Sequence, residues 1–224
     1  TVMSIPTGTT GATFAGDVTL SGTSPILRYT DTDNTITAQI GSGTSDFNIA
    51  TTTAHNIDIR TNNTRRMVVE SDGDISFYED TGSTAKFFWD SSTERLGIGN
   101  ATPATSLDVT GAVKSTTYQE TYVSKSAAST VTCDLATANH FAVTIDQATT
   151  FAFSNPPSSG TSFAFTLIIT QHSTAAALTW PNTVDWAGGS APDAAGNNEV
   201  QAYGFITRDG GTTYYGFLGG TAIA

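Results

Sequence analysis

A chain of 224 residues with 20 acidic and 9 basic side chains carries a formal net charge of −11, which repels phosphate backbones and argues against a nucleic-acid partner. Its single cysteine, Cys133, cannot close an intrachain disulfide, and a structural zinc needs more ligands than one thiol supplies. No apolar run reaches the roughly 18 residues of a membrane helix, so the sequence predicts a soluble protein, long enough for one large or two small domains. Thr is the commonest residue, followed by Ala, Gly and Ser, while the helix builders Leu, Lys and Glu are scarce. Branching at Cβ suits Thr to a pleated strand, and Gly, Asn and Asp supply turns, so the composition predicts an all-β fold.

The first residue, Thr1, is not an initiator Met, which reads as a processed or truncated piece of something longer. Residues 1–16 are mostly small and lack the basic start and apolar core of a signal peptide, so they are expected to be a linker. From 17 to 113 apolar residues recur as i, i+2 pairs: Val18/Leu20, Ile36/Ala38, Phe47/Ile49, Ile57/Ile59, Met67/Val69, Ile75/Phe77, Phe87/Trp89, Leu96/Ile98 and Leu107/Val109. Ile26, beside Leu27, is a weaker member of the series. Turn formers separate the pairs, at Thr32-Asp33-Asn34, Gly41-Ser42-Gly43, Asn62-Asn63, Asp72-Gly73, Thr81-Gly82 and Asn100-Ala101. Pairs about every ten residues predict serial short strands, each with one buried face. One or two large apolar groups per strand make too thin a core for a lone ribbon. The segment is therefore expected to be a repetitive β shaft completed by other copies, most simply an intertwined three-fold prism or triple β-helix. The alternative is a monomeric solenoid that stacks rungs within one chain.

From 114 to 224 the strands lengthen into an expected head domain. Residues 118–124 read equally as strand or linker. Strands are predicted over 130–135, 140–145, 150–154, 162–171, 176–180, 199–208 and 213–218. Phe163, Phe165, Leu167 and Ile169 alternate strictly, and Asp209-Gly210-Gly211 signals a hairpin joining the last two strands. An antiparallel β-sandwich or jelly roll fits these lengths.

The joint between the two parts, Arg95 to Gly111, carries Leu96-Gly97-Ile98-Gly99, Pro103 and Leu107-Asp108-Val109-Thr110-Gly111, preceded by Trp89-Asp90-Ser91-Ser92. It resembles an element common in bacteriophage tail fibres. The head is similar to a terminal domain of many phage tail proteins through Asp134-Leu135-Ala136-Thr137-Ala138-Asn139, residues 151–157, Thr179-Trp180-Pro181, Trp186-Ala187-Gly188-Gly189, Ala191-Pro192 and Asp209 to Phe217. The resemblance implies a homotrimeric shaft with a C-terminal, host-facing head. It also implies a place in the extracellular virion tail, joined to other phage tail proteins at the N-terminal end. In other fibres a self-cleaving chaperone domain often follows the joint; the head stands there instead, so the resemblance does not extend to autoproteolysis.

Chemistry is sparse. Asp185, Asp193, Glu199 and Asp209 lie in or beside head loops, where paired carboxylates of a glycan-cleaving spike would sit, but they read as solvated loop acids. His55, His140 and His172 are dispersed, and no GxSxG elbow accompanies His172-Ser173. Gly97-Ile98-Gly99 lacks the third glycine and the helix of a dinucleotide site. Asp31-Thr32-Asp33-Asn34 lacks the Gly and Glu of a calcium loop, and Asp72-Gly73-Asp74 reads as a turn. Arg60, Arg65 and Arg66 are expected to pair with Asp58, Glu70 or Asp72. Trp180 and Trp186 could stack on sugar rings, although a packing role is favoured. Tyr214 and Tyr215 flank the last hairpin, and alternation turns one of them outward. The binding candidates are therefore Trp186, Asp185, Asn197, Tyr214 and Tyr215, with no catalytic residue, metal or cofactor. The expectation is a tail fibre that attaches a virion to a host-surface glycan or outer-membrane receptor by multivalent, non-catalytic binding. A glycan-cleaving spike and a purely structural tail or baseplate part are the alternatives.

Overall fold

The computed structural model describes residues 15, 17–31, 33–42 and 46–223. Nearly all of the expected linker over 1–16 lies outside these residues, as do Thr32 and Gly43 of two expected turns. Among the described residues all regular structure is strand, as the composition predicts, and there is no helix. The chain divides into two compact units, Thr1–Lys114 and Ser115–Ala224.

The N-terminal unit opens with β1 (Ile26–Asp31), β2 (Ile36–Ser42) and β3 (Phe47–Thr51), an antiparallel sheet in chain order. The Val18/Leu20 pair, expected to be a strand, is not one. Gly22 and Pro25 follow it closely, and neither favours a ladder. The weak member at Ile26 is instead a full strand, because Leu27 and Tyr29 supply the alternation that the Ile26-Leu27 doublet hides. A second sheet holds β4 (Ile57–Thr61), β5 (Thr64–Val69), β6 (Ile75–Tyr78), β7 (Ala85–Asp90), β8 (Arg95–Ile98) and β9 (Leu107–Val109) in that order. Its first five strands form antiparallel hairpins and β9 returns parallel to β8. Hairpins are not the stacked parallel rungs that a single-chain solenoid needs. Asn62 and Asn63 both take positive φ, 49° and 56°, which a two-residue hairpin with the strands' own twist requires.

The register turns six of the expected pairs into two ladders. One row runs Ile57–Val69–Ile75–Trp89–Leu96–Leu107 and the next Ile59–Met67–Phe77–Phe87–Ile98–Val109. Positions two apart share a face, so these twelve apolar side chains make one continuous surface. Not one of them is buried in the single chain: Ile59 is 50% and Leu107 58% exposed. The row between them, Asp58–Val68–Ser76–Phe88–Gly97–Asp108, lies on the opposite face and contains the buried Val68, Ser76 and Gly97.

The C-terminal unit contains β10 (Tyr122–Lys125), β11 (Thr130–Asp134), β12 (His140–Ile145), β13 (Thr149–Ser154), β14 (Phe163–Gln171), β15 (Leu178–Thr179), β16 (Val184–Trp186), β17 (Val200–Thr207) and β18 (Tyr214–Ile223). Six strands form one sheet in the order β10-β12-β14-β17-β18-β16, and three form another in the order β11-β13-β15. From β10 to β15 the chain alternates between the sheets, and each strand pairs in parallel with the strand two before it. The expected antiparallel arrangement holds only for β14-β17 and β17-β18. The pairings β10-β12, β11-β13, β12-β14, β13-β15 and β16-β18 are all parallel. Alternation along a strand gives its buried face and is silent about its neighbour's direction, and the short links here cross between sheets instead of folding back.

Both sheets feed one core. Val131, Cys133 and Phe151 come from the small sheet, and Phe141, Val143, Ile145, Phe165, Leu167, Ile169, Tyr203, Phe205 and Tyr214 from the large one. Phe165 stacks on Phe205 at 4.9 Å, and Phe153 meets both rings edge-on. Full burial of such side chains contributes about 1.5–3 kcal/mol each. The two buried glutamines of this unit are hydrogen-bonded. Gln201 accepts from the Ala195 N–H and the Tyr203 hydroxyl and donates to the Asp193 carbonyl. Gln171 bonds both backbone groups of Ala176. These two amides fix the loops over 172–177 and 187–199.

Candidate binding surfaces

The residues singled out in the C-terminal unit separate by face. In β16, Val184 and Trp186 turn inward and Asp185 outward. Trp186 packs on Trp180 at 5.1 Å, Phe205 at 5.6 Å and Tyr203 at 5.9 Å. Tyr214 is 3% exposed, with its ring 5.0 Å from Phe153, and burial raises its pKa. Tyr214 therefore belongs to the core, and Trp186 packs partly buried against it, the packing role weighed for Trp186 above. Tyr215 is the outward member of its pair, 38% exposed, with the Arg208 guanidinium 5.9 Å from its ring centre and Asp185 as its register partner. Asn197 Oδ1 accepts from the Ala175 N–H at 2.7 Å, tying two loops together. Of the five candidates the structure brings together Asp185 and Tyr215 as an exposed pair.

Two of the loop acids, Glu199 and Asp209, are engaged locally. Glu199 accepts from the Gly196 N–H at 2.8 Å. Asp209 accepts from the Thr213 N–H and the Thr207 hydroxyl, which hold its carboxyl below the usual range and shape the turn where Gly210 and Gly211 take positive φ. Cys133 is fully buried and its thiol is pushed up to about 12 by desolvation, so it is an inert packing group. His172 Nδ1 lies 2.9 Å from the Ser173 hydroxyl, an exposed contact between chain neighbours.

In the N-terminal unit Arg60 and Arg65 share Asp58 Oδ2 at 2.7 and 3.1 Å, and Arg60 first holds that carboxyl below its ordinary value. Arg66 reaches Asp80 and the Thr61 hydroxyl, where Glu70 or Asp72 was an expected alternative. The joint motif is architectural. Arg95 donates to the Pro103 carbonyl at 3.2 Å and Asp108 accepts from the Ala104 N–H at 2.9 Å, which closes the loop that carries the chain from β8 to the parallel β9. A side chain on Gly97 would collide with the Asn100 carbonyl oxygen. In the preceding motif, Asp90 accepts from Ser92 and Thr93, and Ser91 binds Asp72 and Asp74. These residues join two turns at one end of the sheet.

One surface was not read from the sequence. On the outer face of the six-stranded sheet, register aligns Tyr122, His140, Thr166, Gly204 and Phe217 in a single row across five strands. A groove of about 500 Å³ follows it, lined also by Glu120, Asn139, Ser162 and Ile206. His140 Nε2 is 2.6 Å from Glu120 Oε2 and Nδ1 is 2.6 Å from Thr166 Oγ1. A carboxylate only accepts, so Nε2 carries the proton, and in the neutral ring Nδ1 accepts from Thr166. The Thr166 N–H is committed to the Asn139 carbonyl, and a mid-strand hydroxyl with paired backbone around it has no free N–H donors for an oxyanion. The chain Thr166–His140–Glu120 fixes the imidazole between two strands and the preceding segment. Its signal in the sequence was the outward half of each alternating strand: Ile168, Ile206 and Phe217 are large apolar residues at positions that face solvent.

No known family model matches this chain, and no curated protein is significantly similar to it.

Proposed function

We propose that this chain is a non-catalytic attachment fibre of a phage virion. The N-terminal unit assembles three-fold with two further copies, and the C-terminal unit serves as the head that contacts the host surface. The observation that carries this reading is the two-ladder face of β4 to β9, twelve apolar side chains of which none is buried in the single chain. A contiguous apolar face left unburied in this way marks an interaction site. Three such faces, turned to a common axis, close a prism with a shared core and leave charged turns outside. The resemblance of the joint and head to phage tail proteins supports the count of three and the role of the head. Three heads on one axis bind a repetitive surface with avidity well beyond that of one head.

The test is saturable binding of the labelled 224-residue chain to a panel of bacterial strains, with protection of a bound strain from phage infection. Selective binding that blocks infection is the expected result. A trimer that binds no strain and protects none would point instead to a structural tail part.

A further inference from the structure

We propose that the groove along Phe217, Gly204, Thr166 and His140 is a binding site for a neutral sugar ring of a surface glycan. The inference rests on the attachment reading and names its ligand class and place. The volume, about 500 Å³, is in the range of small-ligand sites. Its floor is apolar: Phe217 is 46% exposed, and Ile206 stands on the neighbouring strand. Its rim offers Asn139, Ser162 and Thr166 as polar partners, with His140 holding Thr166 in place. Phe217 and Gly204 are register partners, and a side chain on Gly204 would meet no atom within 4 Å. That leaves open space beside an exposed aromatic ring in the middle of the sheet. The row Phe217–Gly204–Thr166–His140 crosses three strand spacings, about 14 Å, long enough for one or two linked rings.

Chemistry selects among ligands. The only carboxylic acid in the lining is Glu120, with no Lys or Arg among the lining residues. In a chain of net charge −11 that combination disfavours phosphate, sulfate and sugar carboxylates. A purely apolar ligand would strand the polar rim, because desolvated donors and acceptors left unpaired cost about 1–3 kcal/mol each. A pyranose presents both an apolar C–H face for Phe217 and a rim of neutral hydroxyls. With Nε2 held by Glu120, the Thr166 oxygen keeps its lone pairs for a ligand hydroxyl, and the row is oriented before binding.

The experiment uses the full chain on an array of neutral and anionic oligosaccharides, followed by titration of any binder. Gly204→Val fills the open space, and Phe217→Ala removes the platform; each is expected to weaken binding of a neutral saccharide at least tenfold. Asp146→Ala, in the turn after β12 and outside the groove, is expected to bind as the parent does. Three outcomes overturn the proposal: no neutral saccharide bound, a preference for anionic ones, or unchanged binding in both groove variants. A change in sedimenting mass on Gly204→Val also overturns it, since the face would then be a contact between copies. Whole-cell binding separates the two readings. A parent chain that binds cells while the groove variants bind equally well moves the site elsewhere and leaves attachment standing; a parent that binds no cells removes attachment itself.

Discussion

Phe77 lies at the centre of the uncovered face, 44% exposed and edge-on to Phe87 at 5.2 Å and 89°. Replacing it with Ala removes that ring contact within the chain, worth about 0.5–1.5 kcal/mol, and leaves the backbone ladder intact. The effect on assembly is larger. Full burial of a Phe is worth about 1.5–3 kcal/mol, so the half still exposed leaves about 1 kcal/mol per copy for a partner to supply. Three copies bring the loss to about 3 kcal/mol, on the order of a hundredfold in association. Sedimentation equilibrium across a concentration series reads this directly. Lys86→Ser, an exposed change on the opposite face, is expected to leave association unchanged. Equal association of the parent and Phe77→Ala, with both chains folded, would show that the ladders do not meet a partner.

Gln201→Leu strands the Ala195 N–H, the Asp193 carbonyl and the Tyr203 hydroxyl; at least about 2 kcal/mol of stability is expected to be lost, measured by urea denaturation. Gly97→Ala sets a Cβ against the Asn100 carbonyl oxygen and is expected to cost about 1–3 kcal/mol, while Gly22→Ala, where a Cβ meets nothing within 4 Å, is expected to be silent in thermal melts. Glu79 is held down to about 2 by the Thr81 hydroxyl and by the N–H groups of Thr81, Ser83 and Thr84. Its folded pKa lies below its ordinary 4.5, so its stabilisation is complete above about 4.5 and fades as pH falls toward 2. Melting temperature should therefore fall across that window, and Glu79→Gln should flatten part of the fall.

Much of the N-terminal unit was legible because strand periodicity is local. Ile57/Ile59 through Leu107/Val109 each revealed a strand, and the turns between them kept the chain returning on itself, so the pairs stacked on one face. Val18/Leu20 misled because a pair says nothing about whether a partner strand follows. In the C-terminal unit the inward rings of β14 and the hairpin at Asp209 were equally local. The parallel coil of β10 to β15 was not, since pairing direction depends on where a link sends the chain. The groove was hidden for the same reason: Tyr122, His140, Thr166, Gly204 and Phe217 are scattered in sequence and become one row only through five strands in register. Trp186 and Tyr214 turn inward as strand alternation and the favoured packing role implied, which leaves Asp185 and Tyr215 as the outward members of their strands.

The most direct measurement is the mass of the folded 224-residue chain in solution at micromolar concentration. The account predicts three times the 23.3 kDa of one chain, persisting on dilution. A stable, cooperatively folded species of 23.3 kDa, with the two ladders open to solvent, would contradict it.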